Sequence, residues 1–466
     1  MRARSDIVAM GAAPANTVPA LLESARRVLK HHFGFDDFRP AQRRVLASVL
    51  AGRDVLGVLP TGAGKSACFQ VPALVRPGLT LVISPLISLM QDQVESARRR
   101  KLPAAFINST LDIQTQYRVL QSVQEGRCRL LYVAPERLPR LSHELQALGV
   151  HPACLAIDEA HCISEWGHDF RPSYRLLGQA REAFGWPQAI ALTGSATPEV
   201  REDIRRCLKL GARGGFDLHV ASFDRPNLRF EVAQVRNDVR RLAAVFQEVQ
   251  GASGSAIVYA PTRSLTESLA RLLTARGTKA LPYHAGLAKQ RRAETLDRFI
   301  AGDARVVAAT CAFGMGIDKP DVRLVVHWSM PPTLESYYQE AGRAGRDSEA
   351  SRCVLLHGWS DIHTQEMQLD VTFPDERLVE NAWRNPAAYK QLPSNVRTSV
   401  DRLRAELRPE RGSVDWTRIR RRRKIAADRL RAMERYATTH SCRRAVLLGW
   451  FGETGVRCRG CDRCQR

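Results

Sequence analysis

Two successive series of short apolar runs constrain the fold of this chain more than any other feature. The first begins near Asp54 and reads "DVLGVL", "LTLVIS", "RLLYVA", "CLAID" and "AIALT". The second follows "GARGG" at 211–215 and reads "SAIVYA", "KALPYH", "RVVAAT", "VRLVVHW" and "CVLLHG". Each run is rich in Val, Ile or Leu and is followed by an amphipathic stretch of helical length. A strand apolar on both faces must be covered on both faces, and helical crossovers that do this leave neighbouring strands parallel. The pattern therefore predicts an α/β fold of two parallel-sheet lobes, with the boundary near residue 212.

Beyond Trp359 the strand pattern ends. Val396, Val400, Leu403 and Leu407, and then Ala426, Leu430, Met433 and Ala437, recur at helical spacing and predict two helices, each packed by one face. The 466 residues divide into 1–22, Ala/Pro-rich and read as disordered; 23–211 and 212–358, the two lobes; 359–424, a basic helical insertion; and 425–466, a cysteine-bearing module.

"DVLGVLPTGAGKSACFQ" places a glycine-containing loop between a strand and a helix predicted to open at Lys65. Gly62 and Gly64 leave the backbone free to turn its N–H groups toward phosphates at the helix N-terminus. Lys65 can then neutralise β/γ-phosphate charge, and the Ser66 hydroxyl suits Mg²⁺. The strict GxxxxGK[ST] pattern fails at its first position, which is Leu59. In "CLAIDEAHCISEWGHDF" an apolar strand delivers Asp158 to hold Mg²⁺ and Glu159 to orient and deprotonate a water. A solvated pair at a strand-end turn is the alternative, and the loop at 60–66 weighs against it. "YYQEAGRAGRD" sets Arg343 and Arg346 three apart, where a planar, permanent charge can meet a γ-phosphate. By itself that motif is weak, since most arginine pairs are surface charge.

Seven cysteines are scattered singly, as small reduced hydrophobes are. Cys442, Cys458, Cys461 and Cys464, with spacings of 15, 2 and 2 residues, form a constellation that predicts a closed, structural Zn²⁺ site. Disulfides and an iron–sulfur cluster are the rivals.

Charge supplies the class of partner. Net charge is +22, and residues 401–466, with 19 basic and 8 acidic side chains, hold half of it. That is the footprint of a polyanion binder. The run Arg420 to Lys424 reads either as a grip on duplex phosphates or as a solvated helix face. No stretch has the 18 or so consecutive apolar residues of a membrane span, and the N-terminus lacks a secretory pattern. A soluble intracellular protein is expected, cytoplasmic and, if bacterial, nucleoid-associated, with no membrane partner.

With these motifs in place, the chain resembles the RecQ family of superfamily-two DNA helicases over about 30–360 and again over 442–464. The resemblance implies two RecA-like lobes and ATP as the nucleotide. "FGFDDFRPAQ" is similar to the family's adenine-reading segment, which casts Arg39 and Gln42 as base contacts. "LPTGAGKS" matches the phosphate loop, Thr61 included, and "SPLISLMQDQV" a block that lies along single-stranded DNA. His161 completes "DEAH" and joins the catalytic set. Ser164 to Pro172 resembles the aromatic-rich loop that senses DNA and signals to the ATP site, with Trp166, His168, Phe170 and Arg171 as contacts. Their stacking faces and cations suit that task. "CAFGMGIDKP" carries Gly316 and Asp318 into the block joining ATP and DNA sites, and Gln339, Arg343 and Arg346 form the γ-phosphate sensor. The terminal block "CRRAVLLGWFGETGVRCRGCDRC" is similar to the family's zinc module.

"ALTGSATP", with Gly194 and Ser195, departs from the family's usual "ALTATATP" and is like a string of related RNA helicases. The winged-helix and further helical domains of longer members have no counterpart here, so single-strand-binding protein is not an expected partner. The expectation is a monomeric, ATP-driven 3′–5′ motor on single-stranded, duplex or branched DNA. An RNA-directed motor, or an annealing scaffold with little unwinding, is the competing reading. A scaffold predicts decay at Lys65, Glu159 or Arg346, and all three are present.

Overall fold

The runs fold into buried parallel strands. The computed structural model describes residues 17–60, 62–313, 319–409, 414–458 and 460–464. The chain forms two units, Met1–Asp224 with Phe451–Glu453, and Arg225–Trp450 with Thr454–Arg466.

In the first unit the strands are β1 (Asp54–Val58), β2 (Leu79–Ile83), β3 (Ala104–Ile107), β4 (Leu130–Val133), β5 (Pro152–Ile157), β6 (Gln188–Thr193) and β7 (Phe216–Val220). They pair in the order β3-β4-β2-β5-β6-β1-β7, every pair parallel. The helices are α1 (Val18–Phe33), α2 (Pro40–Leu50), α3 (Ala67–Val75), α4 (Ile87–Arg99), α5 (Ile113–Gln124), α6 (Leu138–Ala147), α7 (Leu177–Ala183) and α8 (Pro198–Cys207). Val45, Phe69, Val82, Met90, Tyr132 and Leu192 belong to one of its cores. Helix α1 begins at Val18, inside the stretch read as disordered, because Pro19 fits the first helical turn. It stops at Gly34, whose φ of 75° suits glycine.

The lobe boundary predicted near residue 212 moves to Asp224. "GARGG" is not a linker but a turn held inside the lobe: the Gly211 N–H donates to Asp54 Oδ2 at 2.9 Å. Asp54 is itself buried against Arg181 at 2.6 Å. The turn leads into β7, which runs beside β1 from Phe216 to Val220.

The second unit contains β8 (Leu228–Gln234), β9 (Ser255–Tyr259), β10 (Ala280–Tyr283), β11 (Val306–Ala309), β12 (Val322–His327) and β13 (Ser351–His357). All are parallel in the order β10-β11-β9-β12-β13-β8, which leaves β8 at an edge. Interleaved are α9 (Asp238–Gly251), α10 (Arg263–Ala275), α11 (Lys289–Ala301) and α12 (Leu334–Ala341). There follow α13 (Ser360–Thr372), α14 (Glu376–Arg384), α15 (Pro386–Gln391), α16 (Ser394–Leu407), α17 (Thr417–Thr438) and α18 (Arg443–Trp450).

The two helices predicted beyond Trp359 are α16 and α17, buried along the expected stripes at Val400, Leu403, Leu430, Met433 and Ala437. Phe373, Val379, Trp416 and Ile419 close a core with them. Helix α17 runs unbroken through the division placed at 424/425, so insertion and cysteine module are one helical body. The basic run knits this body together: Arg420 pairs with Glu376 at 2.6 Å, Arg422 with Glu406 at 2.7 Å and Arg423 with Asp370 at 2.6 Å. These three cations already have carboxylate partners, which runs against reading the run as an open phosphate grip.

The module docks on the edge strand. The Asp462 N–H donates to Phe230 O at 3.2 Å, and the Val232 N–H donates to Asp462 Oδ2 at 3.4 Å. Arg443 Nε donates to Asp462 Oδ1 at 2.9 Å, and the buried Arg444 donates to Arg225 O at 2.9 Å and to Leu228 O.

Candidate nucleotide site and metal centre

The strand–loop–helix unit predicted from "DVLGVLPTGAGKSACFQ" is present between β1 and α3. The helix opens at Ala67 rather than Lys65, with Ser66 at the N-cap and its hydroxyl free of a capping bond. Gly62 and Gly64 have φ of 82° and 71°. At Gly64 a Cβ would also lie 2.5 Å from Gln42 Nε2, so a side chain there would push the Gln42 amide away from the loop. Gln42 is the clasp of this loop: its Nε2 donates to Ala63 O and Gly64 O, each at 3.0 Å. Its Oε1 accepts from the Arg39 N–H at 2.9 Å, and the Arg39 guanidinium donates to Gly62 O. Both residues cast as adenine contacts are thus engaged with the phosphate loop itself. Thr61, Gly316 and Asp318 lie outside the described residues.

Asp158 and Glu159 follow β5 as predicted. Burial, and next the neighbouring Glu159 charge, push the Asp158 carboxyl up. Gln93 Nε2 donates to Asp158 Oδ2 at 2.8 Å and, with Lys65, works the other way. Glu159 is half-buried; desolvation raises its carboxyl, but His161 and the Lys65 charge outweigh that and hold it down to about 2. Its φ of 46° is left-handed, a strained backbone for a non-glycine residue. A carboxylate pair of this kind, Asp158 buried and Glu159 half-buried, suits a divalent cation, with Asp158 and the Ser66 hydroxyl as the ligands to offer it.

His161 Nδ1 lies 3.0 Å from Thr193 Oγ1 and 3.3 Å from Glu159 Oε2. Its ring stacks on His168 at 4.4 Å and 16°, which joins the aromatic-rich loop directly to the carboxylates. Gly167 permits the tight fold of that loop, since a Cβ there would meet His161 O at 2.3 Å. Trp166 and Phe170 are half-buried. Arg171 turns inward: it donates to Pro85 O at 2.6 Å and pairs with Asp169 at 3.2 Å. It braces the loop rather than offering a free cation, as the sequence reading had it.

In the second unit Gln339 lies on α12, and Arg343 and Arg346 follow the helix. Arg343 is 8 % exposed, and its Nε makes no hydrogen bond among the described residues. Sequence reasoning missed Gln93, although it stands in the quoted "SPLISLMQDQV". The block had been assigned whole to DNA, and only the fold brings α4 under Asp158.

The sulfurs of Cys442, Cys458, Cys461 and Cys464 all lie within 4.8 Å of one another, so the donor set fits one tetrahedral ion. Burial raises the Cys461 thiol, but the Arg463 and Arg443 N–H groups and its neighbours hold it down to about 7. Cys464 is pushed up, chiefly by its bond with Cys461. Four thiols cannot all ionise side by side without a cation, and Zn²⁺ removes that conflict. All four are free of disulfides.

No helix among the described residues is long and apolar enough to cross a membrane. Residues 39–204 match the DEAD/DEAH box helicase family, 239–348 the helicase conserved C-terminal domain, and 401–465 the RecQ zinc-binding family. The chain is 38% identical to the ATP-dependent DNA helicase RecQ of Pasteurella multocida, over 95% of its own length and 62% of the relative's. It is 40% identical to the probable ATP-dependent DNA helicase RecS of Bacillus subtilis, over 73% of its own length and 68% of the relative's. It spans about three fifths of the bacterial RecQ proteins it matches. Among solved structures it is similar in fold to the DUF1998 helicase MrfA bound to DNA, at TM-score 0.60 and 18% identity, covering 74% of this chain and 52% of that one. The Mycobacterium smegmatis helicase Lhr bound to ssDNA and AMP-PNP is similar at TM-score 0.54 and 21% identity, covering 80% and 55%.

Proposed function

Because the chain belongs to the RecQ family of DNA helicases, we propose that it hydrolyses ATP to travel 3′ to 5′ on single-stranded DNA and unwind duplex or branched DNA in recombination and repair. It works as a monomer in the cytoplasm and, if bacterial, at the nucleoid. The observation that carries the reading is the convergence of the glycine loop, Lys65 and the Asp158–Glu159 pair at one end of the first sheet.

Mg²⁺, when bound, supplies charge to the β- and γ-phosphate oxygens. Ser66 and Asp158 would hold it, and Gln93 fixes the Asp158 carboxylate in place through Oδ2. Lys65 meets the phosphates. Glu159, held down to about 2, stays ionised at physiological pH; it orients the attacking water and accepts its proton as the transition state forms. Arg343 and Arg346, with Gln339, meet the charge that develops on the γ-phosphate. Arg39 and Gln42 release the loop carbonyls to receive the base, so recognition of adenine and opening of the phosphate loop are one event. Trp166, His168 and Phe170 face the DNA strand, and the His168–His161 stack carries its presence to Glu159.

The test is unwinding of 3′-tailed, 5′-tailed and RNA duplexes. The 3′-tailed DNA should open only with ATP, and Lys65→Ala should abolish both opening and hydrolysis. Opening that persists in that variant refutes the mechanism, and preference for RNA duplexes moves the chain to the RNA-directed class.

A further inference from the structure

Between the cysteine cluster and Arg343 runs an unbroken line of side chains within the second unit, all buried except the half-buried Asp462. Asp462, adjacent to Cys461, holds Arg443 at 2.9 Å. The Arg443 guanidinium lies 5.8 Å from the centre of the Tyr436 ring on α17. Tyr436 meets Tyr337 on α12 with ring centres 5.1 Å apart and hydroxyls 3.3 Å apart. From Tyr337 the line continues to His327 at 5.0 Å, and from His327 to Tyr259 at 5.3 Å. The Tyr259 hydroxyl donates to Phe313 O at 2.8 Å and lies against the Arg343 guanidinium. Tyr337, Tyr436 and Arg443 are fully buried, so these side chains sit in the packed interior.

Two further fastenings hold α12 at its ends. Glu335, in its first turn, forms an ion pair with Arg429 of α17 at 2.9 Å, with side chains 1% and 8% exposed. Glu340, in its last turn, lies 2.9 Å from His327 Nε2. Gly342 and Arg343 come directly after the helix. A short helix clamped at start, middle and end moves as a body, and the guanidinium that follows it moves with it. Dense packing of this kind transmits position because it is not continuously deformable.

We propose that Tyr436 and Tyr337 are positioning residues for hydrolysis: they carry the seating of the metal-bound cysteine module on β8 to Arg343, so that a docked module sets the arginine in its working place. The zinc module is then a controller of the ATP cycle as well as a structural clip. This rests on the reading of Arg343 as the γ-phosphate sensor. It adds that the sensor is under the command of the chain's last residues.

The experiment uses the full zinc-loaded chain and follows DNA-stimulated ATP hydrolysis in Tyr436→Leu, Tyr436→Phe, Arg343→Ala and the double variant Tyr436→Leu/Arg343→Ala. Tyr436→Leu should lose about tenfold in kcat with KM for ATP within about twofold, since a group acting on the transition state affects kcat. Tyr436→Phe keeps the ring and should stay within about twofold of the parent. The double variant should hydrolyse no more slowly than Arg343→Ala alone, because nothing is left to position. Hydrogen exchange at residues 339–346, read without nucleotide, should quicken in Tyr436→Leu and in Cys458→Ser. If Tyr436→Leu does not fold, Glu335→Gln is the milder cut, with about threefold lost in kcat and the same quickened exchange.

Unchanged kcat in a Tyr436→Leu protein that retains its zinc overturns the proposal. So does a loss that multiplies in the double variant, which marks general damage to the fold. Hydrolysis that survives Lys65→Ala overturns instead the ATP-site reading beneath it, and the two failures are therefore separable.

Discussion

Two groups of arginines, read from sequence alone, look equally suited to phosphates: Arg343 with Arg346, and the run Arg420 to Arg423. Their surroundings differ in kind. Arg343 is buried behind a helix end and its Nε meets no partner among the described residues, a costly state that a ligand can relieve. Arg420, Arg422 and Arg423 each face a carboxylate within 2.7 Å, and the pairs tie α17 to α13, α14 and α16. Density of charge therefore says little about where a polyanion binds. What matters is whether each charge already has a partner when the ligand arrives.

The sharpest way to break this contrast is Arg343→Ala. Hydrolysis should fall about a thousandfold, the low end for an arginine finger, while ATP binding and the melting transition hold. A loss of stability with little loss of rate would place Arg343 in the paired class. Next in size is Arg422→Ala, which leaves the nearly buried Glu406 carboxylate with only Arg418, at 4.0 Å, among the described residues. Urea unfolding should show about 3 kcal/mol lost, with hydrolysis by the folded fraction unchanged. Replacing Arg422 by Met together with Glu406 by Leu should recover most of it, since an apolar pair of similar volume fills the same space. The smallest effect is expected for Arg420→Gln with Arg423→Gln. The slope of log affinity for duplex DNA against log salt should stay within about half a unit of the parent. A fall of about 1.8 would mean that both ion pairs open to release their charge onto phosphates.

Legibility in the sequence followed burial. Strands covered on both faces, such as β1, β2 and β5, appear as continuous apolar runs and were found. The strands that escaped were β7 and β8, each at a sheet edge, and the short β3. "FDLHV" and "LRFEVAQ" alternate apolar with polar residues, so neither forms the continuous apolar run that marks a strand covered on both faces. Missing β7 is also what put the lobe boundary too early. In the candidate site, residues joined by short loops were legible as motifs: Gly62 to Ser66, Asp158 with Glu159, and the four cysteines. Partnerships made by the fold were not. Nothing in the string "SPLISLMQDQV" says that Gln93 will meet Asp158, and nothing in the arginine run says that its partners lie some 16 to 53 residues upstream. Arg171 shows the same limit, since its inward turn depends on the Pro85 carbonyl of a distant loop.

The docking of Asp462 on β8 has a consequence for solubility. As the outermost strand of its sheet, β8 would expose unpaired N–H and C=O groups along "LRFEVAQ", a template for another chain. The Cys461–Phe230 bridge, the Asp462 N–H and the Asp462 carboxylate cover its middle, at Phe230 and Val232. Stripping the metal unfastens that cover before it touches either sheet. Depleted protein should therefore fail first by strand-to-strand self-association, seen as concentration-dependent light scattering while the parallel sheets still give their native circular dichroism. The four cysteines guard the molecule against copies of itself.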